Sequence, residues 1–279
     1  MYQKRTPLKS NREVMPGVHM LVMDSSEIAS DARPGQFVMF SCDGGSGRLL
    51  RRPLSIFQVE GNSISFLFSV TGKGTEWLAQ RKFGETLSWL GPLGNGFSID
   101  PKSKNLLLVA GGMGIPPLYF LASDAVKKGY SVKLLIGAKT ACQVCPTHLI
   151  PIGPVVETAT EDGSSGEKGL VTGLMTSHLR WADQVFICGP LPMYQAIAKE
   201  PYLLKKPAQV SLEVRMGCGL GFCYACTIKT RQGLKQVCKD GPVFNLHDIL
   251  WNELYPELNP NLAEYFKGFI QAFFHNGFN

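Results

Sequence analysis

Four cysteines crowd one short stretch of this chain, in "MGCGLGFCYACTIKT" and then in "QVCKD". Four residues separate Cys218 from Cys223, two separate Cys223 from Cys226, and eleven separate Cys226 from Cys238. That spacing asks for a loop that closes on something its thiols share. The N-terminal stretch, "MYQKRTPLKSNREVMPGVHM", lacks the apolar core of a secretory signal, so secretion is not expected. The expected compartment is the reducing cytoplasm, where clustered cysteines hold metal more often than they form disulfides.

C-x4-C-x2-C with a fourth cysteine downstream is the spacing of plant-type [2Fe–2S] loops. Gly217, Gly219 and Gly221 suit such a loop, because they permit positive φ and let backbone N–H groups approach sulfur. Cys218, Cys223, Cys226 and Cys238 are therefore the candidate ligands of a binuclear cluster. Zinc is the second reading, though its knuckles usually use two C-x2-C pairs and only one is present. Unligated cysteines are the third. Of the other thiols, Cys42 reads as a small buried hydrophobe or loop residue, and Cys142 with Cys145 form a lone C-x2-C that favours no ligand.

The rest of the chain supplies two further modules. Its 279 residues, 44% of them hydrophobic, suffice for two or three modest cores. Residues 12–98 carry short runs rich in Val, Ile and Phe, such as "GQFVMFSC" and "SISFLFSV", most bounded by Gly or Pro. They predict an antiparallel barrel with one short helix at "GTEWLAQRKF". From residue 100 the pattern changes to buried strands alternating with helices, as in "NLLLVAGGMGIPPLYFLASDAVKKGYSVKLLIGAKT" and "QVFICGPLPMYQAIAKE". That alternation predicts a parallel sheet with a ligand at the carboxyl ends of its strands. The expected class is thus mixed β and α/β, divided into 1–99, 100–206 and a cysteine domain over 207–250. Residues 251–279 are an apolar tail expected to be helical and to pack on its own chain. No basic run exceeds two residues and no apolar run reaches 18, so neither nucleic-acid binding nor a membrane span is expected.

"RRPLSIF" puts Arg52, Pro53 and Ser55 on a barrel strand, where a guanidinium and a hydroxyl suit a diphosphate and a flavin. "VTGKGTEWL" runs Gly72, Gly74 and Thr75 into a helix, which is either an anion site or an ordinary cap by Thr75. "VAGGMGIPPL" follows a buried strand and opens a helix, yet its glycines depart from G-x-G-x-x-G. "FICGPLPMY" ends a later strand on the same side of the sheet.

In this order the motifs resemble the ferredoxin–NADP reductase family of flavoproteins, across residues 12–200. With the cysteine segment and "CKDGPVF" after its fourth thiol, about 250 residues are similar to one branch, the electron-transfer subunits of class B dihydroorotate dehydrogenase. The resemblance implies an antiparallel FAD-binding barrel, a parallel-sheet NAD(P)-binding domain and a small [2Fe–2S] domain. It implies that Arg52, Pro53, Leu54 and Ser55 hold FAD, that Leu67, Phe68 and Ser69 line the flavin, and that Gly74 and Thr75 bind its pyrophosphate. Gly111, Gly112 and Gly114 would approach the nicotinamide nucleotide, with Cys188 and Gly189 near its ring. The family often has arginine where Ser69 stands, and Lys73 is the neighbouring replacement for that charge.

No acid–base residue is expected, since none of the five histidines falls in a motif and the cofactors carry the chemistry. The implied function is an electron relay of pyrimidine biosynthesis. Electrons would pass between NAD(H), FAD, the [2Fe–2S] cluster and an FMN-containing catalytic subunit that oxidises dihydroorotate, in a heterotetramer of two copies of each. NAD(H) is preferred over NADP(H), because Lys139 is the one cation after its strand and no arginine cluster accompanies it. Two other readings stay open: the flavin and [2Fe–2S] subunit of a ferredoxin–NADP reductase or sulfhydrogenase complex, and a non-catalytic zinc-binding or redox-sensing module.

Overall fold

The computed structural model describes residues 1–42, 50–203 and 205–254. The first 93 residues form one antiparallel sheet of β1 (Tyr2–Met15), β2 (Val18–Asp24), β3 (Phe37–Phe40), β4 (Arg52–Ser55), β5 (Gln58–Glu60), β6 (Ser63–Ser69) and β7 (Thr86–Leu93), in the order β4-β3-β7-β1-β2-β6-β5. The sheet curls until β4 and β6 approach each other. Two short helices, α1 (Ser26–Asp31) and α2 (Lys73–Ala79), cover its ends. Alternation explains the closure: Leu21, Met23, Phe40, Phe66 and Trp89 point inward and are essentially sealed from water. Phe40 stacks on Trp89 at 5.7 Å and meets Phe66 edge-on at 5.0 Å. Each such side chain stabilises the barrel by about 1.5–3 kcal/mol.

β1 begins ten residues earlier than the hydrophobic runs suggest. Residues 2–11 alternate in exposure but bury only Leu8 fully, because this stretch lies between β7 and β2 and is held by its ladders rather than by apolar contacts. Hydrophobic periodicity is blind to a strand of that kind.

The second sheet comprises β8 (Asn105–Gly111), β9 (Ser131–Ala138), β10 (Val155–Thr160), β11 (Glu167–Lys168), β12 (Gln184–Cys188) and β13 (Ala208–Ser211), all parallel, with α3 (Ile115–Lys127), α4 (Val171–His178) and α5 (Leu191–Ile197) packed on it. β8, β9 and β10 step one way across the sheet and β12 and β13 the other, so the strand order reverses at β8. That switch point is where an open α/β sheet leaves a crevice. Phe57, just after β4, stacks on Tyr119 of α3 at 4.0 Å and joins the two sheets.

The cysteine segment follows β13. It consists of an irregular loop, the hairpin of β14 (Thr227–Thr230) and β15 (Gly233–Gln236), and the single turn α6 (Val237–Asp240). The chain then returns as β16 (Val243–Asn245), antiparallel to β13 at the edge of the parallel sheet. Residues 251–253 form a 3-10 turn, and the remainder of the tail expected to be helical lies outside the described residues. Among the described residues no helix is long and apolar enough to cross a membrane.

Candidate cofactor sites

The cysteine loop is shaped by its own backbone. Gly219 (φ +72°), Gly221 (φ +83°) and Tyr224 (φ +58°) adopt the left-handed conformation, which folds the chain back on itself between the thiols. The N–H groups of Leu220 and Phe222 donate to Cys218 Sγ at 3.3 and 3.4 Å. Gly221 N–H donates to Cys238 Sγ at 3.2 Å, and Cys238 N–H to Cys226 Sγ at 3.4 Å. Desolvation alone would raise the Cys218 thiol, but the N–H groups of Leu220, Cys223 and Phe222 bring it down to about 6. Cys238 is pushed up to about 12 by desolvation and by neighbouring Cys226.

All four thiols are free, with Cys226 and Cys238 buried, Cys218 half-buried and Cys223 exposed. Among the described residues no three Cys, His, Asp or Glu converge on one point as a single metal ion requires. Zinc asks for four ligands around one centre, whereas a binuclear iron core asks for two per iron. Four thiol donors, and N–H groups directed at three of their sulfurs, fit the binuclear core.

The loop also rests on the barrel. A Cβ on Gly219 would lie 2.6 Å from Met39 Cγ. Met39 is fully buried in β3 and is the register partner of Pro53 in β4. Cys226, Cys238, Met39 and Leu90 belong to one apolar cluster. The sulfur loop and the "RRPLSIF" strand are thus separated by a single strand.

On that strand Leu54 is buried and Arg52, Pro53 and Ser55 are half-buried. The Arg52 guanidinium lies across the start of α2, where a Cβ on Gly74 would come within 2.4 Å of its Nε. Gly74 therefore makes room for the arginine. Thr75 Oγ1 accepts from the N–H groups of Thr71 and Gly72 at 2.9 and 3.2 Å and donates to Gly72 O at 3.0 Å, so its hydroxyl closes its own turn. Lys73 is exposed beside them. On β6, Leu67 joins the cluster facing the parallel sheet and Ser69 lines the cleft described below, while Phe68 points into the barrel core.

The crevice at the switch point is a cleft of about 790 Å3. Its walls come from the β1–β2 turn, from Ser69 and Val70, from Gly111 and Gly112 after β8, from residues 137–140 after β9, and from Pro190 after β12. The volume suits a large organic ligand. The three glycines of "GGMG" do different jobs. Gly112 (φ +53°) has open space around it, whereas a Cβ on Gly114 would fall 1.9 Å from the Cys188 carbonyl oxygen. Cys188 is itself buried, and burial, with Glu213 adding, pushes its thiol up to about 12, so it stays neutral. Gly189 N–H donates to the Tyr194 hydroxyl at 2.9 Å, which donates to Ser211 O at 2.6 Å and fixes the turn after β12. Lys139 and Glu161 face the same cleft.

Met39, Tyr194 and the β1–β2 turn carry no sequence signal for these roles, since each acts through tertiary contact. Two of the histidines make structural contacts: His178 bridges Lys133 and Glu157 at 3.1 and 3.0 Å, and His19 stacks on Phe68. Cys142 is exposed on the cleft wall, and Cys145 is buried.

Comparison with known proteins agrees with this architecture. Residues 213–250 match the iron-sulfur cluster binding domain of dihydroorotate dehydrogenase B. Over 255 residues the chain is 35% identical to the dihydroorotate dehydrogenase B (NAD(+)) electron transfer subunit of Bacillus caldolyticus, covering 89% of this chain and 98% of the other. The corresponding subunit of Bacillus cereus (strain G9842) is 37% identical, covering 90% and 100%. A structure of an NADH-dependent reduced ferredoxin-NADP oxidoreductase superposes with a TM-score of 0.81 at 29% identity, covering 94% of this chain and 98% of that one. A ferredoxin NADP+ reductase from Neisseria gonorrhoeae, at 16% identity, 70% and 89% coverage and a TM-score of 0.58, shares the fold. With identity of this level sustained across almost the whole length of those subunits, the chain belongs to the family of electron transfer subunits of dihydroorotate dehydrogenase B.

Proposed function

We propose that the chain relays electrons between NAD(H) and an FMN-containing catalytic subunit that oxidises dihydroorotate, in the cytoplasm and in a heterotetramer of two copies of each chain. When bound, FAD exchanges a hydride with NAD(H), and the [2Fe–2S] cluster carries the two electrons onward one at a time. The observation that carries this reading is the contact between the sulfur loop and Met39, one strand from Arg52–Ser55.

In this reading residues 1–99 hold FAD, 100–206 bind the nicotinamide nucleotide and 207–250 hold the cluster. Arg52 neutralises the flavin diphosphate, with Gly74 and Thr75 shaping the turn beneath it. Pro53, Leu54 and Ser55 orient the ring system, and Leu67, Phe68 and Ser69 support it from β6. Gly111 and Gly112 leave room for the nucleotide, while Gly114 seats the turn carrying Cys188 and Gly189. Cys218, Cys223, Cys226 and Cys238 ligate iron. Lys139 faces the cleft together with Glu161, a pairing that favours a ribose hydroxyl over a 2′-phosphate and so NAD over NADP. The likeness to the NADH-dependent reduced ferredoxin-NADP oxidoreductase supports a second reading, in which the same modules serve a different partner.

The test is to co-purify the chain with its partner, reconstitute it anaerobically, and compare it with Cys226→Ser. The variant is expected to lose the reduced-cluster EPR signal and dihydroorotate-dependent NAD+ reduction while keeping NADH–dye reduction. Zinc in place of iron, or absence of flavin from the wild type, overturns the proposal.

A further inference from the structure

We propose that Asn95 is a positioning residue that sets the spacing between the barrel and the fourth cysteine. The inference rests on the reading that FAD occupies the barrel and a [2Fe–2S] cluster the cysteine loop. It starts from the segment between β7 and the parallel sheet, residues 94–98, where all three modules meet.

Asn95 N–H donates to Gly241 O at 2.6 Å. Its side-chain amide donates to Asp240 O at 3.0 Å and Lys239 O at 3.3 Å. Both facing groups are carbonyls, so the amide nitrogen is the end that must point at them. These carbonyls belong to the last residues of α6, the single turn that carries Cys238, and a turn this short has no intrahelical partner for them. Asn95 thus caps α6 at its carboxyl end. Among the described residues, no other side chain of residues 94–98 donates a hydrogen bond to the cysteine segment.

The approach is too close for any bulk to intervene. A Cβ on Gly94 (φ +73°) would lie 2.6 Å from both Gly241 O and Pro242 Cδ. The segment is itself held rigidly from the other two modules. Gln36 donates to Gly94 O at 2.8 Å and Phe97 N–H to Pro34 O at 2.8 Å, both within the barrel. Gln209 accepts from Ser98 N–H at 3.0 Å, and Gln184 donates to Ser98 O at 2.9 Å, both from the parallel sheet. On the far side Leu212 N–H donates to Pro242 O at 2.9 Å, and Asp240 accepts from Gln236 N–H at 2.7 Å. "CKDGPVF" therefore reads as a joint: its thiol faces the cluster loop while its next four residues dock on the barrel's exit and on β13.

Tunnelling rates fall exponentially with distance, so a joint that lets α6 drift slows electron transfer without touching hydride transfer or the ligands themselves. The experiment uses the reconstituted full chain with Asn95→Ala, Asn95→Asp and Asn95→Gln. In Asn95→Ala, NADH-driven flavin bleaching and the EPR g-values of the dithionite-reduced cluster are expected to match the wild type. Cluster reduction by NADH in stopped flow is expected to slow, and hydrogen exchange at the backbone amides of positions 95 and 212 to quicken by about fivefold, the factor that losing one ordinary hydrogen bond gives. Asn95→Asp sets a carboxylate against two carbonyls and slows transfer further, whereas Asn95→Gln keeps the donor and restores part of it. Wild-type cluster reduction in Asn95→Ala overturns the proposal even if exchange quickens, because the residue is then merely structural. Wild-type protein that holds no flavin or shows no cluster signal overturns the underlying reading, and the joint with it.

Discussion

The cysteine loop and the nucleotide cleft are built from opposite kinds of information. The loop takes all four thiols from residues 218–238, and four of its own N–H groups turn onto its own sulfurs. The cleft takes its walls from separate stretches between residues 15 and 196, brought together by the strand order β10-β9-β8-β12 and by the barrel packed beside it. A loop of the first kind can fail alone. A cleft of the second kind fails only when the sheet that assembles it is disturbed, so damage there spreads. Substitutions at one glycine in each region measure that difference.

The largest effect is expected at Gly114→Ala. The new methyl would sit 1.9 Å from the Cys188 carbonyl oxygen and 2.3 Å from its carbon, both backbone atoms of the neighbouring strand end. No rotamer relieves such a clash, so β8 and β12 must part. Overpacking of a rigid core costs typically 1–3 kcal/mol and here about 3 kcal/mol or more. Urea denaturation should show a lower midpoint, and NADH binding should weaken sharply in whatever remains folded. Gly112→Ala, next door in open space but at φ +53°, should cost only about 1 kcal/mol. Equal costs at the two positions would break the argument that the cleft is assembled by packing.

Gly219→Ala tests the local side. Its φ of +72° penalises alanine, and the methyl would lie 2.6 Å from Met39 Cγ. Met39 is an unbranched side chain that can shift, so the neighbour yields where a carbonyl would not. A cost of about 2 kcal/mol is expected from strain plus displacement. It should appear as faster iron loss to a chelator, with NADH affinity unchanged. A matching loss of NADH affinity would show that the cysteine segment is not an independent unit.

The same contrast explains what could be read from the residues. The iron-sulfur segment was legible because its cysteine spacing is local, and the buried strands β8, β9 and β12 because each is a short continuous apolar run. β10 was not, because "VVETAT" buries only its last two residues. β13 and β16 were not, because each is three or four residues long and gains its place only by pairing across the cysteine segment. The packing of Gly114 against the carbonyl of residue 188 carries no local signal either, because that neighbour arrives from a distant strand. Phe222 and Tyr224 are 77% and 70% exposed, a placement that aromatic residues inside a tight loop do not announce.

The smallest effect is expected at Tyr224→Gly, and it sharpens the comparison most finely. Tyr224 is the one non-glycine residue with positive φ among the described residues, at +58°. Its carbonyl accepts from both the N–H and the hydroxyl of Thr227, at 3.1 and 2.7 Å, so the conformation is imposed by the loop and not by the ring. A side chain in that region costs about 1 kcal/mol, while glycine adds freedom to the unfolded chain and cancels part of the gain. The net expectation is a stabilisation of about 0.5 kcal/mol, seen as roughly twofold slower chelation of iron from the isolated chain. NADH affinity and global unfolding should stay as they were, because the strain is confined to the loop. Faster chelation than in the wild type would show that the ring, and not the backbone, holds the loop in place.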